Sequence, residues 1–407
     1  MGKLPSLSER GKEYYALDLT NNLPPGTDSP DQLNTNRRQP RPPAEPKRPL
    51  PEWPSEAERK GKWISAYLDK LDPETEYDQI IKTATFFTGN SFAIALGYTS
   101  TLLHLAQTPA GAAATHHGGK IFRRGHQRFY ETQDFILDCM WHGSSSAVAR
   151  SRVGTVNRIH ARIWRDVPGA YSSPFEGEMS LVGSAFFETM LRKLVGARRA
   201  DPHPVLAAAW PAWAERVLAH FRTEPADGGG SFAVNFPRDF DELERFYRWF
   251  QNLLMDRFTN DEDRRKGHEL AEAFTRQFCE LWFPRQLHWL GRLVLLTIVP
   301  RQVREQQQLG HPNRFGAALV RLFFKIQIDL ADALPDPVRP SFYDDYMACK
   351  GWGWSKIDAN VVRAQKRSAQ KLDVLLVVLL VIVGAGFLWR SSKGLQHCEY
   401  LAGFWWP

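Results

Sequence analysis

From residue 61 to about residue 345, apolar side chains recur every three or four positions in long segments, with few alternating runs. Residues at i, i+4 and i+7 share one face of a helix, whereas a half-buried strand alternates. The pattern therefore predicts an all-α chain, folded as a single large helical domain over 61–345. Helices are predicted at 126–141, 147–165, 174–195, 203–223, 239–258, 263–282 and 285–308. Asp239 and Asp263 sit where N-caps would serve two of them. The stretch "TATFFTGNSFAIALGYTSTLLHL" (83–105) is long and apolar but carries Gly89, Gly97, Ser, Thr and Asn, which favours buried helices over a membrane span. "PAGAAATHHGG" (109–119) reads as a small-residue loop.

A different pattern closes the chain. Residues 374–389, "VLLVVLLVIVGAGFLW", carry no charge. As a helix they span roughly 24–27 Å, short for an average bilayer core but adequate for a thinner one such as that of the endoplasmic reticulum. A transmembrane anchor is predicted over 372–390. Arg363, Lys366, Arg367 and Lys371 precede the run and only Arg390 and Lys393 follow it. The positive-inside bias then puts the large domain in the cytosol, joined by a basic juxtamembrane segment at 346–371, and leaves 391–407 as a short lumenal tail in which Trp405 and Trp406 suit the interface. At the other end, 1–60 is rich in Pro, Asn and charge and poor in aliphatics, as in "NNLPPGTDSPDQLNTNRRQPRPPAEPKRPLPEWP", and is expected to stay disordered. It shows no secretory signal, while "MGKLPS" fits the pattern for myristoylation of Gly2 apart from Pro5.

Composition adjusts this picture only slightly. With 407 residues, 43% hydrophobic and 24% charged, the chain can bury a sizeable core, and its 25 Phe and 14 Trp must be covered by protein or lipid. The net charge of +7 is scattered, which disfavours a nucleic-acid partner. Four isolated cysteines, without a CxxC pair, argue against a disulfide scaffold or a zinc site and fit a reducing compartment.

Candidate chemistry lies in two neighbouring helices. In "TVNRIHARIW", His160 falls on the inward stripe Ala149, Val153, Val156, His160, Ile163 and Val167, with Arg158, Arg162 and Arg165 on the other side. Such a histidine is either a satisfied core residue or a ligand, since neutral imidazole on an apolar wall suits iron. In "HQRFYETQDFILDCMWH", Arg128, Thr132, Phe135, Cys139 and His142 share a face, with Glu131 adjacent. Polar groups on a mostly apolar helix must pair or serve a site, and an Arg128–Glu131 pair at i, i+3 is the simplest alternative.

Three motifs in order carry a family resemblance: "TFFTGNSFAIALGYTSTLLHLAQT", "RFYET" followed about thirty residues later by "RIHARI", and "RLVLLTIVPRQVREQQQLG". Together, over roughly 75–312, the chain resembles the DUF2236 family of rubber oxygenases (latex-clearing proteins) and endoplasmic-reticulum-bound oxygenases of the MpaB type. The resemblance implies a globin-like, haem-binding helical core with haem b as cofactor. His160 would be its proximal iron ligand, and Arg128 and Thr132 would belong to the distal side. Glu131 stands where the bacterial enzymes have a lysine able to ligate iron and the fungal one has an acidic residue. It further implies a haem-dependent oxygenase, taking dioxygen and a lipophilic, prenyl-bearing substrate, with an external electron donor if one is required. In that setting Arg128 would hold Glu131 or a haem propionate, Glu131 would relay a proton if burial raised its pKa, and Thr132 would hydrogen-bond bound oxygen.

Other oxygenase chemistries lack their residues. No ExxH precedes any of the 12 histidines, no HxxxH occurs, and "HELAE" (268–272) lacks the second histidine of a zinc-protease helix. The competing reading is a tail-anchored helical scaffold, or a hydrophobic-ligand binder without turnover, in which His160 is merely core.

Overall fold

The computed structural model describes residues 39–42, 48–172, 175–225, 229–252, 261–340, 342–343, 347 and 357–370. The described residues are mostly helical and contain no strand beyond one isolated bridge between Arg222 and Ser231. In chain order the helices are α1 (Trp63–Leu68), α2 (Tyr77–Thr88), α3 (Ser91–Leu105), α4 (Pro109–Gly118), α5 (Lys120–Arg123), α6 (Gly125–His142), α7 (Ala147–Asp166), α8 (Phe175–Val195), α9 (Pro204–Ala219), α10 (Phe240–Asn252), α11 (Asp261–Trp282), α12 (His288–Ile298), α13 (Arg301–Gln306), α14 (Arg314–Ala333) and α15 (Ile357–Gln370), with a 3₁₀ turn at Arg285–Leu287.

Local chemistry places the boundaries. The apolar stretch 83–105 breaks at Gly89–Asn90, where Asn90 caps α3 by accepting a 2.8 Å hydrogen bond from Ala93 N. Ser146 caps α7 through Ala149 N, and Asn313 caps α14 through Gly316 N. Asp239 does cap α10, accepting from Glu242 N at 2.7 Å, whereas Asp263 lies inside the first turn of α11. α6 begins without a side-chain cap of its own. Asp358, at the start of α15, supplies one from 232 residues away by accepting from His126 N (2.9 Å) and Gln127 N (3.1 Å).

Several expectations change. The stretch 109–119 is a helix and not a loop: Thr108 accepts from Gly111 N, Pro109 fills the first turn, and the alanines that looked like loop filler are strong helix formers. The helix expected at 285–308 is divided at Val299–Pro300, because proline has no N–H for the ladder. α14 follows it as a long helix with no counterpart in the expected set. Part of the arm expected to lack order over 1–60 lies against the domain: Trp53 donates to Thr83 Oγ1 at 2.9 Å and meets the ring of Phe87 edge-on at 5.1 Å. Gly2, the run 374–389 and the tail 391–407 lie outside the described residues, as do Cys349 and Cys398. Among the described residues no helix is long and apolar enough to cross a membrane.

Two apolar clusters make the core. One joins α1, α2, α9, α10 and the inner faces of α6, α7 and α8 around Trp213, Phe86 and Phe236. The other joins α3, α11, α12 and α14 to the remaining face of α8 around Phe274, Phe278 and Leu103. Where the clusters meet lies a partly open cavity of about 1550 Å³, lined from the first by Leu68, Leu137 and Val217 and from the second by Leu96, Phe187 and Phe324. Ordinary small-molecule pockets hold roughly 300–1,000 Å³. This one has room for a large ligand.

Candidate functional site

The site is built on the α6–α7 hairpin. Its turn passes through Gly143 at φ +97°, where an added Cβ would come within 2.9 Å of Asp78 Oδ2. Asp78 in turn accepts from Ser144 N at 2.7 Å, fastening the turn to α2. Arg152 on α7 then clamps α6, with Nη2 2.8 Å from Asp134 and Nε 2.8 Å from Asp138. In an antiparallel pair each step up one helix is a step down the other, so eight residues beyond Arg152 bring His160 level with the first half of α6. All four sequence candidates, Arg128, Glu131, Thr132 and His160, line the one cavity.

His160 follows the expected inward stripe, in which Ala149 and Val153 are fully buried. Its ring lies flat against Tyr171, with centroids 3.7 Å apart and planes 9° apart, and near Phe221 and Phe232 at 6.1 and 6.4 Å. Nδ1 is buried with no hydrogen-bond partner. Burial, with no compensating charge, pushes its pKa down to about 4, so the ring is neutral at physiological pH and keeps a lone pair. His104 is the contrasting case. It is fully buried and also lowered to about 4, but its Nδ1 donates to the Ser100 carbonyl at 2.7 Å within its own helix. His104 is a satisfied core histidine and His160 is not.

Arg128 donates to the Tyr98 hydroxyl at 2.6 Å and stands over the Phe274 ring at 5.2 Å. Tyr98 is buried, its pKa raised chiefly by that burial, and it also hydrogen-bonds Thr132. Thr132 Oγ1 lies 3.0 Å from the Arg128 carbonyl and donates to it. The two are therefore held as one polar group, Tyr98–Arg128–Thr132, on an otherwise apolar wall. An Arg128–Glu131 pair is not formed. Glu131 ion-pairs with Lys120 and accepts from Gln127 at 2.7 Å, and its side chain is 42% exposed. The burial required for Glu131 to relay a proton is absent, because α6 turns that residue to the rim beside α5.

Phe135 links the halves, meeting Phe221 edge-on at 6.0 Å next to the His160 ring. Tyr98, Tyr171 and Phe221 were not singled out from the sequence. They come from three distant segments, and no local pattern marks them. The "HHGG" pair is structural: His116 contacts Glu269 at 2.9 Å and His117 contacts Asp166 at 3.2 Å. Cys139 and Cys279 are buried free thiols raised to about 12 by burial.

An unpartnered neutral imidazole on a cavity of this size, with Arg128 also on the lining, fits a haem in volume and donor and offers one cation to a propionate. No group of three or more His, Cys, Asp or Glu suited to a metal ion occurs among the described residues, and a haem iron held by one imidazole calls for none. One feature departs from ordinary metal sites. A ligating histidine usually donates its second N–H to a carbonyl or carboxylate, whereas here ring contacts with Tyr171, Phe221 and Phe232 orient the imidazole. No protein-family model matches the chain, and no curated protein matches it.

Proposed function

We propose that the chain is a membrane-anchored, haem b dependent oxygenase of lipophilic, prenyl-bearing substrates. The likeness of its motifs to the rubber oxygenases and MpaB-type oxygenases suggests this reading. One observation carries it: the unpartnered His160 imidazole opens on the same large, mostly apolar cavity as Arg128 and Thr132. Haem, when bound, supplies the dioxygen and electron chemistry that side chains lack. His160 would hold its iron as a neutral ring. Arg128, on the lining beside Thr132, would be the cation for a propionate. The apolar walls would exclude water and accept an isoprenoid chain, which has no polar atoms to satisfy. Anchoring through 372–390 at the endoplasmic reticulum, with the domain cytosolic, would place it beside the bilayer in which such substrates dissolve.

The test is an absorbance spectrum of purified full-length protein, with and without added haem. A Soret band is expected, lost in His160→Ala while the helical circular dichroism is unchanged. Wild type that stays colourless in excess haem would sink the oxygenase reading. A second reading, a carrier of a lipophilic ligand without turnover, is favoured by the exposed, ion-paired Glu131 and by the engagement of the buried acid on the lining, Asp134, with Arg152. It predicts no Soret band but saturable binding of a polyene probe.

A further inference from the structure

We propose that the outer face of α14 is a membrane-contact surface, which lays the domain against an anionic lipid bilayer with the cavity directly behind the helix. At the 100° step of an α-helix, Phe315, Leu319, Leu322, Ile326 and Leu330 fall within about 80° of one another. All five are exposed, Phe315 at 75% and Ile326 at 54%. The opposite face is buried or lines the cavity through Phe324 and Gln327. α14 is therefore apolar on both sides. A monomeric soluble protein rarely exposes so continuous an apolar stripe.

Charge decides the occupant. The acids of α14 are already taken, Asp329 by Lys325 and Asp332 by Arg192. Arg314 and Arg321 flank the stripe on one edge, both exposed and with no acidic partner among the described residues. An apolar face edged by unpaired arginines complements acyl chains and anionic headgroups. Trp289 adds an interfacial residue: it is 62% exposed and sits one turn before Leu293, which packs on Gly316 at the start of α14. The chain path agrees. α15 packs against the 3₁₀ turn just before Trp289, and the apolar run at 374–389 begins four residues after α15 ends.

The inference rests on the membrane-anchored part of the proposed function. Its test uses the full chain with Cys349→Ser and Cys398→Ser and a fluorophore at Ile326→Cys, or at Ser151→Cys on α7 as a control; both positions are exposed. The protein is reconstituted into phosphatidylcholine vesicles, with and without phosphatidylserine, containing spin-labelled lipid. Quenching by lipid is expected at 326 and not at 151, weakening when phosphatidylserine is omitted and in Arg314→Gln/Arg321→Gln. Equal quenching at both positions overturns the inference. So does a label at 326 shielded from both lipid and aqueous iodide, which would mean that a second copy or the chain's own C-terminal segment covers the stripe. Quenching indifferent to phosphatidylserine overturns the headgroup assignment. Lipid contact at 326 without a Soret band would leave this inference standing and remove the oxygenase, and a Soret band with no lipid contact would do the reverse.

Discussion

At the scale of single residues, His160 differs from His104 in its missing hydrogen bond and in being only partly buried, and the two histidines share a linked consequence. Both have folded pKa values lowered to about 4 from 6.5. Between those values the unfolded chain binds more protons, so stability rises with pH there and falls as pH drops from about 6.5 to about 4. The denaturant midpoint of haem-free protein is expected to be lower at pH 5 than at pH 7, and the difference to shrink in His160→Gln. An unchanged pH dependence in that variant would place His160 in contact with solvent. The buried thiols of Cys139 and Cys279, pushed up to about 12, are expected to resist maleimide in the native protein and to label in denaturant, as peptide mass spectrometry can read.

At the scale of elements, the α6–α7 hairpin holds the site together, and it does so through a turn and a clamp. Gly143 combines φ +97° with ψ 147°, a region nearly closed to other residues, and a side chain there meets Asp78. Gly143→Ala is expected to cost about 1–3 kcal/mol in equilibrium unfolding. Arg152→Ala removes the cation shared by Asp134 and Asp138, whose side chains are only 12% and 10% exposed, and is expected to cost a further ~1–3 kcal/mol. If His160 is the ligand, Arg152→Ala should also weaken haem retention, because the hairpin sets where α7 lies against α6. A variant that loses stability but keeps its haem affinity would separate the clamp from the site.

For the whole molecule, the decisive feature is a cavity at the junction of two apolar clusters. A ligand that binds only the folded state stabilises it by mass action, by about 2.7 kcal/mol at a hundred times its Kd. Added haem is expected to raise the thermal midpoint of wild type and to leave that of His160→Ala where it was. An equal shift in both would mean that the cavity takes haem as a greasy plate without iron ligation. A polyene probe should be displaced by haem from wild type, because one cavity serves both.

Helical periodicity by itself determined the fold class, the α6 and α7 boundaries to within a residue or two, and the inward stripe on which His160 sits. Those are consequences of local geometry, a rise and a repeat that nearest neighbours along the chain impose. It misjudged 109–119, where small residues serve close helix packing as well as loops, and it had no sign of α14 as a separate helix. Only the tertiary structure decided that His160 lacks a partner, that Tyr171 stacks on it, that Arg128 and Thr132 share Tyr98, and that Glu131 turns outward to Lys120. Each depends on residues of different elements, some only 11 and others 30 positions apart, meeting in the fold, and burial and pairing between elements are set by packing, which helical periodicity does not contain.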